Sequence, residues 1–298
     1  MKNLFRVHLP LLIVNLIYGI NFSVAKSVMP KFIEPLAFIV LRVGVSVLLF
    51  FIVHRFFINE KVEQKDYRKL LLCALFGVYL NQSLFFIGIK YTTPIHGALI
   101  MIATPILVLV LTRFISKEPF NLLKSIGISC GAVGALLLIL GGKEISGGTN
   151  TVLGDSMVFI NACCFAIYLV LVKPLMQKYH PITVVLWTFT FGFLFALPTG
   201  SYDLAKVQWH TFTPTVWWAV ASVVIGATFL VYLLNNIALK HASAAVVGIY
   251  IYVQPIVAAI VSIYFGKDNF SLIKIISAVL IFAGVYFVNH GAMQRKRL

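Results

Sequence analysis

The sequence is poor in charged residues, and above all in acids. Only 11% of its 298 residues are charged, and 9 are Asp or Glu against 24 Lys or Arg. A soluble domain has about a quarter of its residues charged and about half apolar. This chain is 60% apolar with a mean hydropathy of +0.97, which is more apolar surface than a water-soluble fold can bury. The composition therefore predicts a protein of the lipid bilayer.

Cysteine is scarce as well, and its distribution excludes a disulfide framework or a metal site. All four cysteines lie inside apolar runs, where the residue packs as a small hydrophobic side chain. We predict no metal and no cofactor. The net charge of +15 does not indicate a nucleic-acid partner, because no basic patch with interleaved aromatic residues lies outside the apolar runs. The four residues are Cys73, Cys130, Cys163 and Cys164.

Long apolar runs are what the sequence has in abundance. A helix that crosses a bilayer needs about 20 apolar residues, and ten runs approach that length, separated by short connections with turn residues. The sequence thus predicts an all-α membrane protein with ten transmembrane helices. These predicted spans 1 to 10 lie at residues 8–26, 36–57, 69–89, 94–114, 122–141, 153–174, 181–198, 214–237, 243–265 and 271–290.

Basic residues are unevenly divided between the two sets of connections. With the N-terminus placed in the cytoplasm, sixteen Lys and Arg fall on the cytoplasmic side and seven on the outer side. Cytoplasmic loops carry the excess of positive charge in membrane proteins. The sequence therefore predicts an integral protein of a bacterial-type inner (plasma) membrane with both termini in the cytoplasm.

Two stretches of the chain are similar at a spacing of 150 positions. "KEPFNLLKSIGISCGAVGALLLI" begins at Lys117, and "KDNFSLIKIISAVLIFAGVYFVN" begins at Lys267. Residues 91–140 aligned with 241–290 share eight identities. Five spans separate the stretches, and because five is odd, the two copies cross the membrane in opposite directions.

The repeat predicts two inverted five-helix halves within a single transmembrane domain. The N-terminal repeat covers residues 1–148 and the C-terminal repeat covers 149–298. Halves of similar fold and opposite orientation can exchange conformations, so that a site between them faces each side in turn. A duplication kept only for packing is the alternative interpretation.

Several segments are similar to those of one known family. They include "YGINFSVAK" in span 1, "EPLAFIVLRVGVSVLLF" in span 2 and the long stretches that cover spans 3 to 5 and 8 to 10. Together they resemble the EamA-type transporters of the drug/metabolite transporter (DMT) superfamily. The resemblance implies ten helices in two five-helix repeats and the export or exchange of small metabolites. The chain departs from the family pattern at Asp268, where Glu is frequent, and at Thr188, which stands opposite Arg42.

Polar side chains inside the spans form the predicted substrate-binding set. Such groups are costly in a bilayer and turn toward the bundle interior or a cavity. Alternatively, amides hold neighbouring helices together, with about 0.6 kcal/mol for each hydrogen bond. We predict that seven of these residues line a central cavity between the halves: Asn21, Asn81, Asn161, Tyr168, Asn236, Tyr250 and Gln254.

Three ionisable residues are candidates for gating or proton transfer. Arg42 either snorkels to the outer face or pairs with carbonyls in a structural role, or else it serves as a gating contact or a ligand for a substrate carboxylate. His96, near the end of span 4, is either a satisfied core histidine or a proton carrier. Asp155, at the edge of span 6, is the one acid inside a predicted span.

Prolines occupy equivalent places in spans 4 and 9. Pro105 and Pro255 each remove a backbone hydrogen bond and bend a helix. They are predicted hinges, with static kinks that shape the cavity as the alternative.

Glycines mark close-packing faces on spans 5 and 10. Gly127, Gly131 and Gly134 lie on span 5, and Gly284 lies on span 10. Small residues let helix backbones approach closely. These faces are directed either to a second copy or to a neighbour within the chain, so both a monomer and a homodimer remain open.

The predicted function is secondary transport of small metabolites, such as amino acids or related neutral or zwitterionic compounds. Efflux or exchange by alternating access is expected, with the substrate and the bilayer as partners and no nucleic acid. Because no acid lies near the middle of a predicted span, a central cavity would lack the carboxylates that bind a polycation. The alternative is a proton-coupled exporter of drugs or toxic compounds. A membrane-embedded enzyme is the remote alternative, because no paired carboxylates or His–acid cluster is present.

Overall fold

The computed structural model describes residues 4–58, 60–92, 97, 100–115, 122–140, 151–264 and 272–294. Every regular element among these residues is helical. The α-helices are α1 Leu9–Val28, α2 Pro35–Phe57, α3 Tyr67–Ala74, α4 Asn81–Tyr91, α5 Ala103–Ile115, α6 Leu122–Leu140, α7 Thr151–Lys178, α8 Pro181–Ala205, α9 Pro214–Ala221, α10 Val231–His241, α11 Ala244–Ile249, α12 Val253–Tyr264 and α13 Leu272–Gln294.

Five of the helical rods are long and apolar enough to cross a membrane. They fall on predicted spans 2, 3, 6, 7 and 8, and shorter apolar helices fall on the other five. An all-helical membrane protein is therefore confirmed, whereas ten crossings and their inverted arrangement stay a prediction. The five long rods are Pro35–Phe57, Gln64–Tyr91, Val152–Lys178, Pro181–Ala205 and Pro214–His241.

Two of the long rods share the same composite construction. In the rod Gln64–Tyr91 the π-helical segment Leu75–Leu80 joins α3 to α4, and in the rod Pro214–His241 the π-helical segment Ser222–Leu230 joins α9 to α10. Such π-helical insertions are rare and occur frequently at functional sites. The helices that follow them, α4 and α10, begin 150 residues apart, which is the spacing of the sequence repeat.

The same spacing recurs in the other helices and in their packing. The starts of α5 and α12 are 150 residues apart, and so are those of α6 and α13. Helix α7 packs against α4 and α5, while α1 packs against α10 and α12. The contacts of α7 with α4 and α5 therefore correspond, helix for helix, to the contacts of α1 with α10 and α12 when the two halves of the chain are exchanged.

The seam between α6 and α13 is built on glycine. A Cβ atom on Gly284 would lie 2.6 Å from the carbonyl oxygen of Gly127, and one on Gly134 would lie 2.8 Å from that of Ser277. A shift of 150 positions converts Gly134 into Gly284 and Gly127 into Ser277, so it exchanges the two contacts. The glycine faces of spans 5 and 10 thus pack against each other within the chain, which is the intramolecular interpretation.

Helix α8 corrects one predicted boundary. Predicted span 7 ends at residue 198 because the sequence Pro198-Thr199-Gly200 is typical of a turn, but α8 continues to Ala205. A Cβ atom on Gly200 would overlap the carbonyl oxygen of Leu36 in α2. Glycine at this position therefore permits a close helix approach and does not mark a turn.

Span 9 is interrupted where its proline predicts a bend. The 3₁₀ turn Tyr250–Tyr252 separates α11 from α12. Pro255 supplies no N–H to the carbonyl of Ile251, four residues earlier, and its ring crowds that carbonyl. On span 4, α5 begins at Ala103, so Pro105 lies in its first turn. The hinge role of both prolines stays a prediction.

Candidate substrate site

Arg42 of α2 lies inside the bundle. Its side chain is 3% exposed, so it does not snorkel to an aqueous face. Its Nε donates a hydrogen bond of 2.9 Å to Oγ1 of Thr228, and its guanidinium lies over the ring of Phe86 at 4.7 Å from the centroid. Thr228 belongs to the π-helical segment Ser222–Leu230, and Phe86 belongs to α4. The cation is thus held between one helix of its own half and one from the other half.

The charge of Arg42 has no acidic partner among the described residues. Ion pairs with both members among the described residues join Lys65, Lys90 and Lys178 to acids at the ends of helices. Nη1 of Arg42 is buried and has no hydrogen-bond partner in the described part of the chain. Burying an unpaired ion costs several kcal/mol even after the surroundings relax. The buried cation of Arg42 therefore needs a partner that the described residues do not supply.

A pair of repeat-equivalent residues lies next to Arg42. Nε2 of Gln82 donates to the hydroxyl of Tyr232 at 3.1 Å, and that hydroxyl donates to the carbonyl of Gly77 at 2.8 Å. Tyr232 lies near Arg42, and so does Tyr18 of α1. Oε1 of Gln82 is buried and finds no donor among the described residues. The site thus has an unused donor on Arg42 and an unused acceptor on Gln82.

Tyr168 and Asn236, both predicted site residues, extend this network. The hydroxyl of Tyr168 donates to Oδ1 of Asn236 at 3.1 Å, and Nδ2 of Asn236 donates to the carbonyl of Tyr232 at 2.8 Å. A Cβ atom on Gly77 would overlap the ring of Tyr168. Glycine at position 77 therefore makes the space in which this tyrosine reaches its partner on α10.

Asn81 and Asn161 bond reciprocally between α4 and α7. Nδ2 of Asn161 donates to the carbonyl of Asn81 at 2.6 Å, and Nδ2 of Asn81 donates to the carbonyl of Asn161 at 3.4 Å. Oδ1 of Asn161 is buried without a partner in the described part of the chain. This pair holds two helices together, as the helix-packing interpretation predicts. It also leaves one acceptor without a partner, as the cavity-lining interpretation requires.

Tyr250 and Gln254 contact α1 and the turn before it. The hydroxyl of Tyr250 and Nδ1 of His8 lie 2.6 Å apart, and Nε2 of Gln254 donates to Oδ1 of Asn15 at 3.0 Å. Asn21 is partly buried on α1, and its side chain forms no hydrogen bond with the described residues. The contacts thus join two of the seven predicted residues to the neighbourhood of Arg42 and leave the other five outside that network.

The other two ionisable candidates are not part of the Arg42 network. His96 lies outside the described residues. Asp155 is in the first turns of α7, where Oδ1 accepts a hydrogen bond from the hydroxyl of Thr92 at the end of α4. Among the described residues no cluster of three or more His, Cys, Asp or Glu side chains could hold a metal ion.

One end of the bundle is joined by an ionic cluster. Nζ of Lys178 lies 2.6 Å from Oε1 of Glu63 and 2.6 Å from Oδ2 of Asp66. The hydroxyl of Tyr179 donates to the same oxygen of Asp66 at 2.7 Å. Hydrogen bonds from Lys178 and Lys65 hold the pKa of Glu63 below its ordinary value. This ionic end ties the connection before α3 to the turn between α7 and α8.

The opposite end is joined by an aromatic cluster. Phe32, in the turn between α1 and α2, meets Phe212 edge-on at 5.8 Å, and Phe212 contacts Trp209 and Trp217 at 5.3 and 5.2 Å. Lys31 lies over the ring of Phe32 as Lys178 lies over that of Tyr179, at 5.2 and 5.1 Å. Corresponding positions of the two halves therefore form ionic contacts at one end of the bundle and aromatic contacts at the other.

The sequence interpretation missed three residues of the Arg42 site: Gln82, Thr228 and Tyr232. One signal was available for two of them, since Gln82 and Tyr232 stand 150 positions apart and are therefore equivalent in the repeat. No comparable signal identified Thr228, because a threonine inside an apolar run ordinarily bonds to its own helix.

Apolar helices of membrane-spanning length around a buried polar network define a helical integral membrane protein. The EamA-like transporter family matches residues 6–140 and again residues 152–290. The chain belongs to this family of membrane transporters, whose matches place one copy of the family unit in each half. Family membership and the names of its relatives indicate a transporter rather than an enzyme.

Individual relatives agree with this assignment. The uncharacterized transporter YyaM of Bacillus subtilis is 27% identical over 290 residues, which cover 96% of this chain and 93% of that protein. An uncharacterized transporter of Archaeoglobus fulgidus is 26% identical over 226 residues, 76% of this chain and 77% of that protein. A solved crystal structure with 17% sequence identity covers 96% of this chain and 97% of its own with a TM-score of 0.73, which shows a shared fold.

Proposed function

We propose that the protein is a secondary transporter that moves small neutral or zwitterionic metabolites by alternating access, in efflux or exchange. The moving parts are the repeats 1–148 and 149–298, inverted with respect to each other. Both termini lie in the cytoplasm of an inner or plasma membrane. The substrate binds between the repeats, in a cavity lined by some or all of the seven predicted residues.

The observation that carries this proposal is a pair of hydrogen bonds between repeat-equivalent residues. Gln82 bonds to Tyr232, and the hydroxyl of Tyr252 donates to the carbonyl of Ile102 at 2.9 Å. Both bonds join positions 150 apart. Equivalent residues of two similar halves touch each other only where a two-fold axis passes between them. The bonds support such an axis through the bundle, and Arg42 lies beside one of them.

The two ends of the bundle support a gated pathway. In each, a connection of one half contacts a turn of the other half, with ion pairs at one end and aromatic rings at the other. If the halves rock about the proposed axis, these contacts break in turn and expose the centre to each side. On the predicted topology the ionic end is cytoplasmic and the aromatic end is external. Tryptophans at the latter suit a membrane–water interface.

Flux into proteoliposomes tests the proposal directly. Purified protein is reconstituted and offered a panel of labelled amino acids and related metabolites, with and without an imposed proton gradient. Transport without gradient dependence supports a facilitator or exchanger. Transport that requires the gradient favours the proton-coupled alternative and directs attention to Asp155 and His96. Folded protein that moves none of the panel contradicts the proposed substrate class.

Alanine substitutions test the predicted lining. Each of the seven residues is replaced singly, and flux is compared at equal protein level. Thr190→Ala is the matched control, because its hydroxyl donates to the carbonyl of Leu186 in its own helix at 2.8 Å. Loss of flux in the lining variants with normal flux in the control supports the assignment. Unchanged flux across the whole set contradicts it.

A further inference from the structure

We propose that Arg42 binds the carboxylate of the transported molecule, and that the substrate is therefore a monocarboxylate. This inference rests on the proposed function and names its substrate chemistry: a zwitterionic amino acid carries the required carboxylate, and the inference extends the proposed class to hydroxy acids, which are monoanions. It starts from the one buried cation of the site, and each step below follows from what surrounds that cation.

The guanidinium of Arg42 uses only part of its hydrogen-bonding capacity within the described part of the chain. Nε is its one nitrogen that donates to a described residue, at 2.9 Å to Thr228, and one face is covered by Phe86. Nη1 is buried without a partner in that part of the chain. The end of the guanidinium that carries Nη1 and Nη2 is the edge that matches two carboxylate oxygens. The contacts with Thr228 and Phe86 fix the guanidinium plane and leave Nη1 without a hydrogen-bond partner among the described residues.

The charge balance indicates one negative charge on the partner. No acid pairs with Arg42 among the described residues, and the chain has nine Asp and Glu residues in total, whose described ion pairs lie at helix ends. A buried charge is stable when it is paired. One guanidinium balances one carboxylate, whereas a dianion would leave a surplus negative charge in the same apolar surroundings.

The position of Arg42 suits a ligand that both halves must contact. Arg42 and Gln82 belong to the first half, and Thr228 and Tyr232 belong to the second. Oε1 of Gln82 is a buried acceptor without a donor in the described part of the chain, so it can receive an N–H or O–H of the same molecule. A hydroxy or amino acid satisfies both the unused donor and the unused acceptor.

The repeat-equivalent of Arg42 shows that the site is not duplicated. Thr188 occupies the corresponding place on α8, and its hydroxyl donates to the carbonyl of Val184 in its own helix at 2.7 Å. The second half thus presents a satisfied neutral group where the first presents an unsatisfied cation. One carboxylate, and not two, is expected to bind per chain.

The test compares thermal unfolding of the wild type and three variants in detergent, with lactate and its neutral analogue lactamide as probes. The variants are Arg42→Gln and Arg42→Lys. The control is Arg55→Gln, which removes the same charge from an exposed position on the same helix. Lactate, lactamide and chloride are compared at equal ionic strength and neutral pH.

We expect lactate, and not lactamide, to raise the Tm of the wild type and of Arg55→Gln. Arg42→Gln should lose this response, and Arg42→Lys should need about tenfold more lactate because it lacks the two-pronged donor. Without any probe, Arg42→Gln should unfold at the same temperature as the wild type or higher, since an unpaired charge has been removed. A lower Tm of the empty variant would assign Arg42 a structural role and overturn the proposal. Equal responses to lactate and lactamide, or no response of the wild type, would overturn it as well.

Flux measurements separate this inference from the proposed function. If lactate stabilises the protein through Arg42 but no carboxylate crosses the proteoliposome membrane, the binding site stands and the transport proposal fails. If amides and amines cross as fast as the corresponding carboxylates, and Arg42→Gln leaves their flux unchanged, transport stands and the carboxylate site fails.

Discussion

The glycine seam between α6 and α13 permits a sharp prediction about stability. Gly284→Ala adds one methyl group at the point where the two backbones meet. The added Cβ would lie 2.6 Å from the carbonyl oxygen of Gly127 and 2.8 Å from the backbone nitrogen of Gly131. Both obstructing atoms belong to the backbone, so no side-chain rotation can relieve the overlap.

The size of the effect follows from the geometry. Real Cβ contacts are not shorter than 3.0 Å, so the helices must part by at least 0.4 Å (3.0 − 2.6). Overpacking of this kind costs about 1–3 kcal/mol. Alanine has a higher helix propensity than glycine by about 1 kcal/mol, which offsets part of that cost. A control is needed that gains the propensity without the overlap.

Gly226→Ala is that control. Its added Cβ would have its nearest neighbour, Cγ2 of Ile17, at 3.9 Å, so it gains propensity in open space. We expect Gly284→Ala to be less stable than Gly226→Ala by about 1–3 kcal/mol, measured by denaturant or thermal unfolding in the same detergent. Gly134→Ala, at the exchanged contact, should behave like Gly284→Ala. Equal stabilities of all three variants would refute the close approach of the two helices.

Three further predictions concern the ends, the bend and the network. The pKa of Glu63 is lowered in the folded protein, so its stabilising contribution is full above the ordinary value and is lost as the pH falls through the lowered one. Wild-type Tm should therefore drop as the pH falls below the ordinary carboxyl value of 4.5 and through the lowered one, and Lys178→Met should flatten that drop in a Tm–pH series. Pro255→Ala should restore a continuous helix and slow flux without lowering the Tm, and an unchanged flux would argue against a hinge. Gly77→Ala should displace the ring of Tyr168 and reduce flux at equal protein level, whereas normal flux would show that this tyrosine is not needed in place.

The sequence was sufficient to predict where the five long rods and the shorter apolar helices lie along the chain, apart from the end of α8. Hydrophobic length and turn residues determine where an apolar helix begins and ends, and the 150-residue shift predicts corresponding helix starts. The error at Pro198 arose because a proline and a glycine in series ordinarily indicate a turn. Gly200 instead permits the close approach of α2, and the sequence of α8 alone does not indicate that contact.

The polar contacts were much harder to predict. The partner of a buried amide depends on how each helix is rotated about its axis. Where the polar residues of a span do not form a continuous face, the sequence does not show which side of the helix faces the bundle. Asn81 and Asn161 were both candidates, yet nothing in either segment indicates that they bond to each other. For Arg42, the length of its side chain allowed an aqueous contact, and burial by Thr228 and Phe86 depends on helices more than 40 positions away in the chain.

If the protein works by the proposed alternating access, the unlike ends of the bundle have a consequence for the rates of transport. Ion pairs weaken with salt and with acid, whereas contacts between aromatic rings are almost indifferent to either. A change of ionic strength or acidity in one compartment would therefore alter the closing energy of one gate and leave the other untouched. The resting preference between the two open forms would then follow the composition of a single aqueous phase. The speed of transport would respond to that phase, while the substrate gradient would still set its net direction.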